Sequence, residues 1–147
     1  MFNSVLIVCV GNICRSPTAE CLLRQLLAEK KSNIQVSSAG LGALVDHPAT
    51  SEAAELAQAI GVDLSQHRAH QLTRDMLHHN DLVLVMEQQH IQHIEAMAPE
   101  SRGKVHLLGR WHHNIEIPDP YKKGSSAYKL ALELIQASTQ AWLPYLK

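Results

Sequence analysis

The segment VLIVCVGNICRSPTAE at residues 5–20 constrains the fold more than any other part of the chain. Residues 5–8 are all apolar and mostly β-branched, which is typical of a strand buried in a parallel sheet. After a short polar loop, Ser16 is a candidate N-cap, Pro17 suits the first turn of a helix, and apolar residues follow at helical spacing. The segment therefore predicts a strand, a loop and a helix, with Cys9 at the carboxyl end of the strand.

The rest of the chain alternates between strand and helix patterns, which predicts an α/β fold with a parallel sheet. Short apolar or alternating runs predict three further strands, at residues 34–38, 82–86 and 105–108. Capping residues and helical spacing predict four further helices, at residues 50–60, 73–78, 89–97 and 127–142. Such a sheet binds ligands at the carboxyl ends of its strands, where Cys9 lies.

The chain length and charge limit the possible classes of protein. A length of 147 residues suits one domain, residues 1–147, with a single core. The formal net charge of −1 gives no support to nucleic-acid binding. No apolar run approaches the roughly 20 residues that a membrane helix needs, so no membrane insertion is expected. The first residues lack the basic region of a signal peptide.

The three cysteines are Cys9, Cys14 and Cys21, all near the start of the chain. An odd number in one short segment is not a disulfide framework, and no paired C-x-x-C spacing of a zinc site occurs. The histidines lack an H-E-x-x-H pattern, and their pairs are interpreted as solvated. We therefore expect no metal or other cofactor, and a reducing, cytoplasmic location.

The spacing from Cys9 to Arg15 is C-x5-R, and its position between strand and helix predicts an anion site. A strand, a tight loop and a helix start form a cradle of backbone N–H groups, and the helix dipole favours an anion there. Gly11 and Asn12 tolerate left-handed backbone, and the arginine fork binds two phosphate oxygens at once. The predicted phosphate-binding loop consists of Val10, Gly11, Asn12, Ile13, Cys14, Arg15 and Ser16.

The same positive potential favours a thiolate at Cys9. A thiolate that faces the phosphorus of a bound phosphate monoester is a nucleophile in position, and its attack forms a cysteinyl-phosphate intermediate. Ser16 is expected to hydrogen-bond the sulfur and help it leave. A lone cysteine at the end of a strand is more often a small core residue, but its occurrence together with the loop residues, Arg15 and Ser16 favours the nucleophile.

Cleavage of an aryl phosphate also needs an acid that protonates the leaving group and a base that then activates water. Asp119 lies between Pro118 and Pro120, which fix φ and stiffen the loop around this carboxyl group. On this pattern alone, an ordinary proline turn with a solvated aspartate is favoured. The residues themselves therefore leave both interpretations of Asp119 open.

The segment VCVGNICRSPTAE resembles the signature of the low-molecular-weight protein tyrosine phosphatases, especially the bacterial ones. The resemblance covers nearly the whole chain, through SSAG at 37–40, HRAHQLT at 67–73, NDLVLVME at 80–87 and IPDPYKK at 117–123. It implies a small four-stranded parallel sheet with helices on both faces, a three-layer fold of the flavodoxin-like or Rossmann-like kind.

The resemblance implies a role for each residue that matches the family's motifs. Cys9 is implied as the nucleophile, Arg15 as the phosphate clamp, and Asp119 as the general acid and base. Tyr121 is implied to line the substrate cleft, and Leu41 is the candidate for the opposite wall. The family often has a second aromatic residue after the tyrosine, and here two lysines follow, which predicts a more basic rim.

The family also implies residues that support the loop. Ser38 and His67 are implied to hold Asn12 in a strained conformation. This chain has His70 where the family usually has arginine. Cys14 is implied as a redox residue that forms a reversible disulfide with the nucleophile and shields it from irreversible oxidation.

The leading hypothesis is a phosphatase that acts on phosphotyrosine in proteins, with inorganic phosphate as product and inhibitor. The resemblance to bacterial members implies an autophosphorylating bacterial tyrosine kinase as partner, in the control of exopolysaccharide or capsule export. An arsenate reductase of the same fold is disfavoured, because no relay cysteine follows Cys21. A non-catalytic phosphate-binding or redox-sensing module is disfavoured by Asp119, because simple anion binding has no use for a carboxylate beside the phosphate.

Overall fold

Four strands and five α-helices occur in residues 2–146, the part of the chain that the computed structural model describes. The strands are β1 Ser4–Cys9, β2 Gln35–Gly40, β3 Leu82–Val85 and β4 Val105–Leu107. The helices are α1 Arg15–Glu29, α2 Ser51–Ala59, α3 Arg74–His79, α4 Gln88–Met97 and α5 Ser125–Trp142, with short 3-10 turns at Pro99–Ser101 and Leu143–Tyr145. The predicted elements are confirmed, although their ends shift by a residue or two. Residues 1 and 147 of the predicted domain lie outside the described residues.

The central strand of the parallel sheet is β1, in the order β2-β1-β3-β4. It pairs with β2 on one side, where Cys9 lies opposite Gly40, and with β3 on the other, where Val8 lies opposite Val85. The chain therefore leaves β1 toward one side and later returns on the other. The connections that follow β1 and β3 run to opposite sides of the sheet and leave a crevice at the carboxyl end of β1. Parallel sheets bind their ligands in such a crevice.

Helices cover both faces of the sheet, which explains why the central strands are apolar at every position. On one face, Val5, Ile7 and Cys9 belong to the core formed with α1, α2 and α5. On the other face, Leu6 and Val8 belong to the core formed with α3 and α4. The three-layer α/β architecture is thus confirmed, and the alternation along β1 directs Cys9 to the face that α1 covers.

The C-terminal helix α5 is amphipathic and closes the first of these cores. Its buried side includes Ile135 and Trp142, and the indole N–H of Trp142 donates to the carbonyl oxygen of Leu108 at 2.8 Å, just after β4. Leu130 lies on the opposite side and is 48% exposed. Within residues 2–146, no helix is long and apolar enough to cross a bilayer.

We expect Leu23→Ala in α1 to lower the free energy of unfolding by about 2–5 kcal/mol, because Leu23 is completely buried and its removal leaves a cavity. Leu130→Ala, the matched control in α5, should change it by less than about 0.5 kcal/mol. Urea unfolding followed by circular dichroism measures both values. Equal losses in the two variants would contradict this assignment of the core.

Candidate active site

The loop after β1 ends in the first turn of α1, which begins at Arg15 with Cys14 as the N-cap. The expectation that Ser16 caps this helix is wrong: Ser16 lies inside the first turn, and no side chain caps the helix. Its hydroxyl lies 2.9 Å from the sulfur of Cys9 instead. The uncapped N–H groups at the start of α1 are therefore available to an anion in the loop.

Asn12 holds the loop in its shape. Its backbone is left-handed, with φ of 58°, and its side chain is completely buried. The amide nitrogen donates to the hydroxyl oxygens of Ser16 at 2.7 Å and Ser38 at 2.9 Å, and the amide oxygen accepts from the backbone N–H of His70 at 2.8 Å. These three bonds compensate for a conformation that side-chain-bearing residues rarely adopt. Gly40 completes the fit, because a Cβ there would lie 2.5 Å from the carbonyl oxygen of Val10.

His67 and Glu20 support Asn12 from behind the loop. Nε2 of His67 lies 2.6 Å from the carbonyl oxygen of Asn12, so this nitrogen carries the proton and donates. Glu20 accepts from the hydroxyl of Ser38 and lies 4.0 Å from Nδ1 of His67. Sequence reasoning gave Glu20 no role, although it ends the signature segment on α1.

His70 contributes to this network through its backbone. The side chain of His70 is exposed, and the residue acts through its backbone. Its N–H binds Asn12, and its carbonyl oxygen accepts from the N–H of Gly40 at 2.9 Å. Because both bonds are made by main-chain atoms, they do not depend on the type of side chain at this position.

The guanidinium of Arg15 is buried, with 1% of the side chain exposed, and is fixed at one end. Nη1 donates to Oε2 of Glu87 at 2.6 Å and to the carbonyl oxygen of Ile117 at 2.8 Å. Nη2 lies 3.7 Å from Oδ2 of Asp119, and Nε has no hydrogen-bond partner among the described residues. The edge formed by Nε and Nη2 is therefore left to bind two oxygens of a ligand.

Glu87 is a functional candidate that sequence reasoning missed. It follows β3 closely and is the N-cap of α4. Burial acts to raise the pKa of its carboxyl group, but the hydrogen bond and charge of Arg15 outweigh burial and lower it. The sequence did contain a signal for Glu87: an acidic residue just after a buried strand, which the parallel sheet places at the same edge as Cys9.

The loop after β4 brings Asp119 close to the guanidinium of Arg15. The N–H of Ile117 donates to the carbonyl oxygen of Met86 at 2.9 Å, which ties this loop to the end of β3. Oδ1 of Asp119 accepts from the N–H of Tyr121 at 3.1 Å, and the carboxylate remains partly exposed. The carboxyl group is thus oriented by the backbone of its own turn while it stays accessible to a substrate.

A cavity of about 200 Å³, here called the loop cavity, brings the three predicted catalytic residues together. Its lining consists of Cys9, Val10, Gly11, Ile13, Cys14, Arg15, Gly42, Leu44, Asp119 and Tyr121. Leu41, the candidate for the wall opposite Tyr121, lines a neighbouring cavity instead. Leu44, whose N–H donates to the carbonyl oxygen of Gly11 at 3.1 Å, lines the loop cavity, and the wall role of Leu41 stays a prediction.

Cys14 shares the loop cavity with Cys9, and both thiols are free. Burial, together with the neighbouring charges of Cys9 and Asp119, raises the pKa of the Cys14 thiol to about 12. Cys14 is therefore a neutral thiol at pH 7. Among residues 2–146, no group of three or more His, Cys, Asp or Glu side chains is arranged to hold a metal ion.

Comparison with known proteins identifies the family. The family model described as "Low molecular weight phosphotyrosine protein phosphatase" matches residues 4–147. The chain is 45% identical over 141 residues to the low molecular weight protein-tyrosine-phosphatase Etp of Escherichia coli K12, which covers 96% of this chain and 93% of Etp.

Solved structures of tyrosine phosphatases share this fold. The tyrosine phosphatase AmsI of Erwinia amylovora superposes with a TM-score of 0.94 at 43% identity, covering 100% of this chain and 95% of that one. Vibrio vulnificus Wzb in complex with benzylphosphonate also gives 0.94 at 43% identity, covering 99% and 100%. The chain belongs to the low-molecular-weight phosphotyrosine protein phosphatase family. The predicted family and enzyme class are thereby confirmed, and the arsenate reductase alternative is not favoured.

We expect Glu87→Gln to weaken inhibition by inorganic phosphate about tenfold, because Arg15 loses the charge that orients its fork. The free energy of unfolding of the variant should also lose the part of its pH dependence that Glu87 contributes. Since the folded-state pKa of Glu87 is lowered, its contribution to the free energy of unfolding is present above the ordinary value of 4.5 and is lost as the pH falls.

Inhibition of p-nitrophenyl phosphate hydrolysis by phosphate measures the first effect, and urea unfolding at several pH values measures the second. Glu95→Gln, on the same helix, is the control. Unchanged phosphate inhibition in Glu87→Gln would show that Arg15 does not need this partner.

Proposed function

We propose that this chain, acting as one domain, hydrolyses phosphotyrosine in proteins through a phosphorylated Cys9. The observation that carries the proposal is the meeting of Cys9, Arg15 and Asp119 in the loop cavity. A nucleophile, an anion clamp and a carboxyl group at one point are the components of phosphate monoester hydrolysis.

In the first step, the backbone N–H groups of the loop and the free edge of Arg15 bind the phosphate oxygens. The sulfur of Cys9 then attacks phosphorus, so that an S–P bond forms as the bond from phosphorus to the tyrosine oxygen breaks. Protonated Asp119 gives its proton to that oxygen, and tyrosine leaves as a neutral phenol. The guanidinium stabilises the charge on the phosphoryl oxygens during the transfer.

In the second step, Asp119 acts as a base. It takes a proton from water as the water oxygen attacks the phosphocysteine, and the S–P bond breaks with its electrons returning to sulfur. The Ser16 hydroxyl, 2.9 Å from that sulfur, stabilises the leaving thiolate. Inorganic phosphate is released, and because it binds the same loop it also acts as an inhibitor.

The shape of the cavity supports phosphotyrosine as the substrate. Cys9 is 1% exposed at the bottom, and the side chains of Leu44 and Tyr121 lie at the mouth. A flat aryl group spans this depth between apolar walls, whereas a phosphorylated serine is shorter. A related protein, Vibrio vulnificus Wzb, forms a complex with benzylphosphonate, in which a phosphonate carries an aromatic ring, and this supports an aromatic phosphate ester as the substrate here.

The proposed partner is an autophosphorylating bacterial tyrosine kinase linked to exopolysaccharide or capsule export, in the cytoplasm. This part is supported by the resemblance to bacterial family members. The proposed redox role of Cys14 is supported by the loop cavity that it shares with Cys9. In that role, the sulfur of Cys14 attacks the sulfur of the sulfenic acid that oxidation of Cys9 produces, so that an S–S bond forms as the S–OH bond breaks and water leaves. Because its pKa is raised, Cys14 is a neutral thiol, and its proton leaves in that water.

Turnover of p-nitrophenyl phosphate and of a phosphotyrosine peptide tests the proposal. Cys9→Ser should abolish turnover while it still binds phosphate in a calorimetric titration, because the loop amides and Arg15 remain. Asp119→Ala should lower kcat for the peptide by about 10²–10⁴-fold, because the leaving group of the peptide is poor and needs a proton. Cys21→Ser and Asp75→Ala, which change a thiol and an exposed carboxylate outside the loop cavity, should retain activity.

Turnover by Cys9→Ser would refute the thiol nucleophile, and an unchanged rate in Asp119→Ala would assign the acid to another group. A wild-type chain that binds phosphate without hydrolysing either substrate would instead be a binding module.

A further inference from the structure

A second cavity, here called the side cavity, lies beside the loop cavity. It measures about 330 Å³ and is lined by Val10, Leu41, Gly42, Gln89, His90 and His93. Val10 and Gly42 also line the loop cavity, and the N–H of Gly42 donates to the carbonyl oxygen of Val10 at 3.0 Å. The two cavities therefore adjoin at Val10 and Gly42, which line both.

The lining of the side cavity is mostly apolar. Val10, although part of the phosphate-binding loop, is 42% exposed, and Leu41 is half-buried. The buried ring of His90 belongs to the floor, where its Nδ1 accepts from the N–H of Glu87 at 3.2 Å. Burial lowers the pKa of His90, and the charge of Arg15 lowers it further, so that the ring is neutral at pH 7.

Charged groups near the side cavity disfavour an acidic ligand. Glu87 caps α4, and its carboxylate is already paired with Arg15. Oε2 of Glu116 accepts from the N–H of Gln88 at 2.7 Å, at the first residue of the same helix. Because carboxylates already occupy this helix end, a further carboxylate there would meet like charges.

We propose that the side cavity binds an apolar side chain of the substrate protein, two positions from the phosphotyrosine. The inference rests on the proposed function and extends it to the sequence around the target tyrosine. In an extended peptide, residues two positions apart project to the same face, roughly 7 Å from each other. Such a peptide would pass over Val10 and Gly42, which line both cavities, with the phosphotyrosine in the loop cavity and the apolar residue in the side cavity.

The inference is tested with phosphotyrosine peptides that carry Leu, Gly or Asp either two positions before or two positions after the phosphotyrosine and are otherwise identical. We expect Leu at one of the two positions to raise kcat/KM about tenfold over Gly, which is typical of an apolar group entering a pocket. Asp at that position should give no gain. Equal values for Leu and Gly at both positions, or a higher value for Asp, would overturn the inference.

Two variants of exposed residues on α4 locate the effect. His93→Trp fills the side cavity and should remove the preference for Leu, with hydrolysis of p-nitrophenyl phosphate unchanged. Gln92→Trp, one residue away and outside the lining, should keep the preference. A preference that survives in His93→Trp would place the apolar residue elsewhere. Failure of the wild type to hydrolyse any phosphopeptide would refute the proposed function itself, whereas hydrolysis without a Leu preference refutes only this inference.

Discussion

The buried guanidinium of Arg15 connects three parts of the chain that are distant in sequence. A charge that is removed from water must be paired and hydrogen-bonded, and Glu87 and the carbonyl oxygen of Ile117 do this for Nη1. These partners come from the end of β3 and from the loop that carries Asp119. The contact that compensates for the buried charge therefore also places the proposed acid near the phosphate clamp.

Asn12 supplies the second constraint, because its left-handed backbone shapes the loop that the guanidinium faces. Its bonds to Ser16 and Ser38 join α1 and β2, and Ser16 also reaches the sulfur of Cys9. The conformation of the loop is thus maintained before a ligand binds, which lowers the cost of ordering it during the reaction. Binding of phosphate and activation of the thiol depend on the same set of contacts.

The sequence predicted those features of the site that are encoded locally. The strand, the loop and the helix start lie within one segment, so their periodicity and spacing identify the nucleophile and the clamp. Glu87 was missed because it is 72 residues from Arg15, and only the fold brings them together. The pattern around Asp119 is shared with ordinary surface turns, so its role came from the family resemblance. Leu44 lines the loop cavity and Leu41 the neighbouring one, and composition does not reveal which residue of 41–44 reaches which cavity.

The central claim is that the sulfur of Cys9 carries the phosphoryl group during turnover. A chain with Cys14→Ser, Cys21→Ser and Asp119→Asn leaves Cys9 as the only thiol and slows the hydrolysis of its phosphorylated form. Rapid quenching with p-nitrophenyl phosphate, followed by mass spectrometry, should find one phosphoryl group on Cys9. An unmodified Cys9 during steady turnover, or a phosphoryl group on any other side chain, would contradict the account.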